Sequence, residues 1–410
     1  VAVGGPAGDA DARAAVEALP RLLATGRWPG VELAPLDAIE RELEAIEAAG
    51  ALLLCAGEAG YPERLGGVDD APPVLVCRGR AELLGAPSVA VVGARKFGRH
   101  HVKWFLAEGC EVTAIFGTTR ETATATAAEL AETLGFRGEP YWDWDAFCRS
   151  DDFTAVSVCT PADRHYEHVT DLLRAGKDVL CEKPLVWNWS HPPDRIVSDA
   201  RALADLARAT GRVLAVNAQY PAAVGAIRQL RREVLGEDRP FSRLECLMQT
   251  KGEPRSDQGA ADGWVDLAPH LIAFVDALAG GGGIAWETLR CETAGLRVDA
   301  AFDWVGAREV PGGVLPVRLV TERVPGGQPL RRFSDGEVVI DYEGRNVDGR
   351  FVAVLRAGER ERITTDFMQT SIQRFIAAAR AGDPRLALVP AEAAARHVEA
   401  LAGVWARCLR

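Results

Sequence analysis

The sequence lacks the segments that would send a protein to a membrane or out of the cell. No apolar run approaches the roughly 20 residues that a membrane helix needs; the strongest run is Ala51–Cys55. The first residues do not follow the basic, apolar and small-residue order of a signal peptide. We therefore expect a cytoplasmic protein with no membrane segment.

Paired cysteines and metal-binding patterns are also missing. The cysteines are nine and scattered, with no C-x-x-C pair, at positions 55, 77, 110, 148, 159, 181, 246, 291 and 408. An odd, scattered set is typical of reduced thiols in a cytosolic protein and argues against a disulfide framework or a zinc site. The seven histidines form no H-E-x-x-H pattern. We therefore expect no protein-bound metal.

Basic residues are fewer than acidic residues. The chain has 47 Lys and Arg against 58 Asp and Glu, a formal net charge of -11. This balance argues against a general nucleic-acid or anionic-membrane binder, although a local basic patch remains compatible with it. A hydrophobic fraction of 48% and a charged fraction of 26% exclude a mostly disordered chain. A length of 410 residues indicates two or three domains.

The residue patterns divide the chain into three parts. Residues 1–87 start with Ala-, Leu- and Glu-rich stretches at 11–25 and 37–50, which predict helices in a short helical and strand extension. Over 88–219, Val-rich strands alternate with helices, which predicts an α/β domain with a doubly wound, Rossmann-type parallel sheet. Over 220–410, runs of strands with a few helices predict an α+β domain with a mostly antiparallel sheet.

A glycine loop follows the first Val-rich strand of the predicted parallel sheet. A loop between such a strand and a helix is where backbone N–H groups hold a dinucleotide pyrophosphate. Gly93 and Gly98 are the first and third glycines of G-x-G-x-x-G, and Lys96 and Phe97 complete the predicted cofactor loop. Arg95 replaces the second glycine, where a Cβ hinders close approach of the phosphates. Taken alone, the loop is equally compatible with a plain strand-to-helix turn.

The end of the second strand bears on the choice of cofactor. An NAD site often has Asp or Glu about 20 residues after the glycine loop, to bind the ribose 2′-OH. Here Thr118, Thr119 and Arg120 follow Phe116, with no carboxylate before Glu121. Hydroxyls and a guanidinium suit a 2′-phosphate better, so we expect NADP in preference to NAD. The alternative is that Thr118 or Thr119 simply caps the next helix.

Three further motifs carry polar residues at defined spacings. They are Thr160-Pro161-Ala-Asp-Arg-His165, Glu182-Lys183-Pro184 and Asp266-Leu-Ala-Pro-His270. Alone, Glu-Lys-Pro is usually a solvated strand end, and an Asp/His pair one helical turn apart is usually a surface hydrogen bond. In this order and spacing, and together with the glycine loop, the motifs resemble the Gfo/Idh/MocA family of NAD(P)-dependent oxidoreductases over about 88–410. The resemblance implies an enzyme that transfers a hydride between NADP(H) or NAD(H) and a sugar, cyclitol or related polyol.

The resemblance also implies residue roles. Lys183 would hydrogen-bond the reacting oxygen, His270 would accept or relay a proton, and Asp266 would orient the hydroxyl or the imidazole. Besides the loop residues, the cofactor would be bound by Thr160, Pro161, His165, Glu182 and Lys183. Pro184 favours a cis bond after Lys183. A small-molecule polyol is the expected partner. An exposed face of the predicted C-terminal sheet would favour a homo-oligomer, a dimer or tetramer.

The first part of the chain carries motifs of another kind. Gly60–Leu65, Asp69–Val76 and Ser88–Arg95 resemble the DprA/Smf DNA-processing family, whose DNA domain does not continue after Arg95. Since both families place a Val-rich strand and a glycine here, we hypothesise a join near residue 95, by natural recombination or by sequence assembly. Two alternatives to an oxidoreductase stay open. One is a DNA-processing protein that binds single-stranded DNA, which the acidic balance disfavours. The other is a cofactor-binding pseudoenzyme or sensor, which is favoured if Arg95 blocks the pyrophosphate.

Overall fold

The computed structural model of the chain describes residues 35–58, 60–62, 65, 71–78, 88–254 and 256–409. They belong to two compact units, one within 1–86 and the other within 87–410, and each is described by itself. The helix predicted over 11–25 lies outside the described residues.

The first unit contains a helix and a two-stranded sheet. Helix α1 spans Leu36–Ala48, and strands β1 (Ala51–Cys55) and β2 (Val74–Arg78) pair antiparallel. The ring of Tyr61 is buried, and its hydroxyl donates a hydrogen bond to the carbonyl oxygen of Pro72. The helix agrees with the one predicted over 37–50, and the two strands agree with the predicted helical and strand extension.

The second unit begins with a six-stranded parallel sheet in the order β5-β4-β3-β6-β7-β8. Its strands are β3 (Ser88–Val92), β4 (Glu111–Phe116), β5 (Glu139–Tyr141), β6 (Ala155–Val158), β7 (Asp178–Cys181) and β8 (Leu214–Val216). Its helices are α2 (Gly98–Ala107), α3 (Arg120–Leu134), α4 (Trp144–Arg149), α5 (His165–Arg174) and α6 (Pro193–Thr210). Strand order reverses beside β3, which creates the crevice where doubly wound sheets bind ligands. The predicted Rossmann-type fold is confirmed.

An eight-stranded sheet follows, in the order β10-β11-β12-β9-β13-β14-β15-β16. Its strands are β9 (Leu244–Lys251), β10 (Gly283–Ala294), β11 (Arg297–Val305), β12 (Val314–Val324), β13 (Arg331–Ser334), β14 (Val339–Val347), β15 (Arg350–Ala357) and β16 (Arg360–Thr365). Only the pairing of β12 with β9 is parallel, so the mostly antiparallel prediction is also confirmed. The accompanying helices are α7 (Val224–Leu235), α8 (Ala260–Ala279), α9 (Phe367–Ala381) and α10 (Ala391–Val404).

Helix α8 is the most buried helix of the second unit and packs against β12 and α10. It has apolar residues on all sides, as expected of a helix with no solvent face. It begins after Gly259 and ends at Gly280, which has the left-handed conformation common at helix C-termini. Although α8 has 20 residues, no helix in the described part of the chain is long and apolar enough to cross a membrane.

Candidate functional site

A cleft of about 2050 Å³ opens at the carboxyl ends of the parallel strands. It is lined by the loops after β3, β4, β6 and β7 and by residues of α8 and of the eight-stranded sheet. Most of the predicted site residues line it: Gly93, Lys96, Phe97, Thr118, Thr160, Pro161, Glu182, Lys183, Asp266 and His270. Gly98, Thr119, Arg120 and His165 are not among the lining residues, and their surroundings are described below. The motifs are therefore brought together in one cleft.

Two glycines of the cofactor loop are required by close packing. A Cβ on Gly93 would lie 2.9 Å from the carbonyl oxygen of Cys159, and a Cβ on Gly98 would lie 2.2 Å from the carbonyl oxygen of Gly93. Arg95 lines the cleft with an exposed side chain, and its carbonyl oxygen accepts the N–H of Gly98 at 3.0 Å. Lys96, the next residue, has a φ of +47°, a backbone conformation that residues other than glycine rarely adopt. Arg95 is thus accommodated without a positive φ.

The three residues after β4 have different surroundings. Thr118 lines the cleft. Thr119 is the N-cap of α3: its hydroxyl accepts the N–H of Thr122 at 3.2 Å, and its own N–H donates to the hydroxyl of Thr122 at 3.1 Å. The guanidinium of Arg120 lies 5.2 Å from the ring centre of Trp142. Capping, the alternative considered from the sequence, is therefore what the structure shows for Thr119.

His165 joins two of the motif loops. Its ring is buried, with Nε2 lying 2.8 Å from the carbonyl oxygen of Thr160 and Nδ1 lying 2.9 Å from that of Pro184. Burial lowers the pKa of His165 in spite of these two carbonyls, so the ring is neutral and donates to one of them at a time. The Lys183–Pro184 bond is cis, as predicted. His165 thus connects the Thr-Pro loop to the Glu-Lys-Pro loop.

A buried polar network lies around Glu182. His101, on α2, donates from Nε2 to Glu182 Oε1 at 2.8 Å and from Nδ1 to the hydroxyl of Ser157 at 2.8 Å. The amide of Asn217 donates to the same Oε1 at 2.6 Å. His101 is not predicted as a site residue from the sequence, because no motif marks a histidine at this position of the helix. Only the topology, which sets α2 beside the ends of β6, β7 and β8, identifies it.

The titration of His101 and Glu182 is coupled through this contact. Burial alone would lower the pKa of His101, but Cys159 and Glu182 outweigh it and raise the pKa to about 10. Burial alone would raise the pKa of Glu182, but hydrogen bonds and charges from His101, Lys183 and Asn217 lower it to about 2. Both groups are therefore charged at neutral pH and form a buried ion pair.

A second buried network surrounds Asp266 on α8. The ammonium of Lys183 donates to both the carbonyl oxygen and Oδ1 of Asp266, each at 2.7 Å. Arg323, on β12, donates to Asp266 Oδ2 at 2.9 Å and to Asp262 Oδ2 at 2.9 Å. The side chain of Arg323 is 2% exposed. Two cations and two carboxylates thus balance in charge, and sequence reasoning missed Arg323 because it lies in a strand without a motif.

His270 completes the site one turn of α8 beyond Asp266. The backbone N–H of Gln219 donates to its Nδ1 at 3.3 Å, so the proton of the neutral ring lies on Nε2. Burial, followed by the charge of Lys183, lowers the pKa of His270 to about 3. Its ring stacks on that of Tyr220, with centroids 5.3 Å apart. His270 is therefore a weak base and a hydrogen-bond donor through Nε2.

Two family models match the chain. Residues 88–218 match the oxidoreductase family with an NAD-binding Rossmann fold, and residues 52–114 match DNA recombination-mediator protein A. Both resemblances noted in the sequence are thus confirmed. The two matches overlap over 88–114, which includes the glycine loop and residue 95.

Similar curated proteins align with part of the chain. The 4-carboxy-2-hydroxymuconate-6-semialdehyde dehydrogenase of Sphingobium is 30% identical over 47% of this chain and 58% of its own length. The D-glucoside 3-dehydrogenase of Escherichia coli is 32% identical over 36% of this chain and 38% of its own. An inositol 2-dehydrogenase of Pseudomonas savastanoi is 32% identical over 24% and 29%. The chain therefore spans less than two thirds of the length of each of these relatives.

Solved structures share the fold over most of the chain. The UDP-N-acetylglucosamine 3-dehydrogenase GnnA of Acidithiobacillus ferrooxidans has a TM-score of 0.56 and 22% identity, over 77% of this chain and 95% of that one. KijD10, a 3-ketoreductase of Actinomadura kijaniata in complex with NADP and TDP-benzene, has a TM-score of 0.56 and 20% identity, over 78% and 96%. At these identities the likeness establishes the architecture.

We expect Arg323→Met to destabilise the chain by about 3–5 kcal/mol, because it leaves two buried carboxylates without their shared cation. Arg318→Met, on the same strand, removes a half-exposed pair with Asp299 and should cost less than about 1 kcal/mol. Urea unfolding of both variants measures the difference. Equal losses would contradict the assignment of Arg323 as the central charge of this network.

We expect His101→Gln to change how stability depends on pH. The folded pKa of His101 is raised, so its contribution is fully present below the ordinary value of 6.5 and is lost as pH rises through about 10. The folded pKa of Glu182 is lowered, so its contribution to stability is fully present above the ordinary value of 4.5 and is lost as pH falls towards about 2. The difference in unfolding free energy between wild type and His101→Gln should therefore shrink from neutral pH to about pH 10.

Urea unfolding over this pH range measures that difference. His100→Gln, which changes an exposed neighbour on the same helix, is the control and should show no such trend. A difference that stays constant up to about pH 10 would show that His101 is neutral in the folded protein.

Proposed function

We propose that the chain is an NAD(P)-dependent oxidoreductase acting on a hydroxyl or carbonyl group of a sugar, cyclitol or related polyol. The observation that carries the proposal is the Lys183–Asp266 pair, at 2.7 Å, in the cleft at the carboxyl ends of a parallel sheet. The match of residues 88–218 to an NAD-binding oxidoreductase family supports the cofactor class. The names of the curated relatives, among them glucoside and inositol dehydrogenases, support the substrate class.

The loop after β3 fits a dinucleotide. Gly93 and Gly98 leave a cradle that a Cβ would fill, at the N-terminus of α2, where backbone N–H groups favour an anion. We propose that this loop and the Thr160-Pro161 turn would hold the cofactor, with Glu182 and Lys183 near its reactive end. When bound, the nicotinamide would supply or take up a hydride.

The protein's part in the reaction is to bind and protonate the substrate oxygen. Lys183 has three N–H groups, of which two are directed to Asp266, and we propose that the third points to the reacting oxygen. The ammonium gives a proton to that oxygen in reduction, and the same nitrogen takes it back in oxidation. Asp266, held by Arg323, fixes the direction of the ammonium. His270, with its proton on Nε2, is better suited to donate a hydrogen bond to the same oxygen than to accept a proton.

NADP is the preferred cofactor in this proposal. The end of β4 bears no carboxylate, Thr118 lines the cleft, and Lys96 adds positive charge to the loop. A cytoplasmic location and homo-oligomeric assembly also belong to the proposal, on the grounds given from the sequence. The proposal also divides the chain into three regions, 1–87, 88–219 and 220–410. It assigns no chemistry of its own to the first region.

A DNA-processing role is the second candidate, because residues 52–114 match a DNA recombination mediator. The net charge of -11 does not favour it, since binding of single strands depends on a positively charged groove. A third candidate is a cofactor-binding pseudoenzyme or sensor, which is favoured if Arg95 blocks the pyrophosphate. Protection against thermal unfolding by NADPH separates the first and third candidates from the second, whereas protection by a single-stranded oligonucleotide would favour the second. Turnover of polyols then separates the first candidate from the third.

We expect Lys183→Met to lower kcat by about 10²–10⁴, because it removes the group that exchanges the substrate proton. Turnover is measured with NADP and NAD over a panel of sugars and cyclitols, and NADPH binding is measured in parallel. Lys251→Met, which changes an exposed lysine at the end of β9, should leave both unchanged. A Lys183→Met protein with full turnover would refute the proposed mechanism.

We expect the chain to bind NADPH more tightly than NADH, and Arg95→Gly to tighten binding of both by removing the Cβ from the pyrophosphate loop. Isothermal titration calorimetry gives the four dissociation constants. Arg137→Gly changes an exposed loop arginine after α3 and serves as the control. If Arg95→Gly leaves the affinities unchanged, Arg95 does not weaken the pyrophosphate site, and the case for a join at this residue loses its functional support.

A further inference from the structure

A cation without a counter-ion among the described residues lies in the half of the cleft formed by the eight-stranded sheet. Arg331, the first residue of β13, lines the cleft, and within the described residues its guanidinium makes no hydrogen bond or ion pair. It lies 5.6 Å from the ring centre of Tyr342, so an aromatic face is its neighbour. The guanidinium thus has an aromatic neighbour, and its hydrogen-bond donors have no partner among the described residues.

Three carboxylates that line the same cleft are engaged elsewhere. Asp266 is paired with Lys183 and Arg323, and Glu182 is paired with His101. Asp366 also lines the cleft, but it caps α9 and accepts the backbone N–H groups of its first turn. Since each of these carboxylates has a partner, none of them accounts for the position of Arg331.

The free cation lies in the half of the cleft formed by the eight-stranded sheet, within electrostatic reach of the reaction site. After burial and the charge of Lys183, the charge of Arg331 also contributes to the lowered pKa of His270. Tyr220, stacked on His270, has a buried hydroxyl with no hydrogen-bond partner among the described residues. A buried hydroxyl without a partner is uncommon, because it costs the desolvation of a polar group.

We propose that the substrate carries an oxyanion, a carboxylate or a phosphate, which binds to Arg331 and to the hydroxyl of Tyr220. A guanidinium is suited to carboxylate and phosphate oxygens because it offers parallel N–H donors. The polyol that reacts at Lys183 is therefore an acidic sugar or cyclitol. This inference rests on the proposed function, which supplies the polyol part of the substrate.

The test compares neutral and anionic sugars of one skeleton, namely D-glucose, D-glucuronate and D-glucose 6-phosphate, each titrated by calorimetry into the full chain with saturating NADPH. We expect at least one of the two anions to bind about tenfold or more tightly than glucose. The preference should weaken at high ionic strength. Tighter binding of glucuronate identifies a carboxylate, and tighter binding of the phosphate ester identifies a phosphate.

Two variants of adjacent residues make the test specific. Arg331→Gln should reduce the ratio of anion affinity to glucose affinity about tenfold or more. Arg332→Gln should leave that ratio unchanged, because successive residues of a strand face opposite sides and Arg332 is already paired with Asp341 at 2.6 Å. Tyr220→Phe, which keeps the ring, should reduce the ratio by a smaller factor. Near-ultraviolet circular dichroism checks that each variant is folded.

Equal affinity for glucose and both anions, or an anion preference that survives Arg331→Gln, would overturn the inference. Because binding is measured without turnover, the two proposals fail separately. A chain that binds the anions through Arg331 but oxidises and reduces no polyol contradicts the proposed function alone. A chain that turns over neutral polyols and shows no anion preference contradicts only the role of Arg331.

Discussion

The contact between Lys183 and Asp266 is the constraint on which the site depends. It joins the end of β7 in the parallel sheet to α8, whose other side packs on the antiparallel sheet. Two charged groups removed from water are tolerated only if each has a partner for its remaining hydrogen-bonding atoms. Arg323 supplies that partner for the second oxygen of Asp266, and Asp262 balances Arg323 in turn. The ammonium of Lys183 is thereby one of four charges, drawn from three parts of the chain, that hold one another in place.

This network also shows which residues of the site could be predicted from the sequence and which could not. The family resemblance carried by the motifs pointed to Lys183, Asp266 and His270, and the strand pattern predicted the fold class, because motifs and strand patterns are local properties of the chain. Arg323 and His101 could not be found in this way, since their roles exist only when β12 meets α8 and when α2 meets the end of β7. Strands β5, β13 and β16 carry little hydrophobic pattern, because they are short or largely polar. Thr119 remained ambiguous because one hydroxyl suits a helix cap and a phosphate equally well.

The glycine loop is where two family patterns overlap. Both matches include residues 88–114, so the overlap covers the loop and the whole of α2. Gly93 and Gly98 allow the close backbone packing of the loop, because their hydrogens face backbone atoms at distances that no Cβ could occupy. Arg95 has an exposed side chain, and the left-handed backbone falls on Lys96. A join at this place therefore preserves the packing of the loop and changes mainly the surface that faces the cleft.

The two buried networks begin at adjacent residues and lead in opposite directions. Glu182 contacts His101 and Asn217 beneath the cofactor loop, whereas Lys183 contacts α8. Neighbouring residues at the end of a strand point to opposite sides, so one dipeptide can serve both halves of the cleft. A change in the nucleotide half that moved Glu182 would also move Lys183. This coupling gives a physical reason for Glu and Lys to stand together at the end of β7, beyond the separate roles of the two side chains.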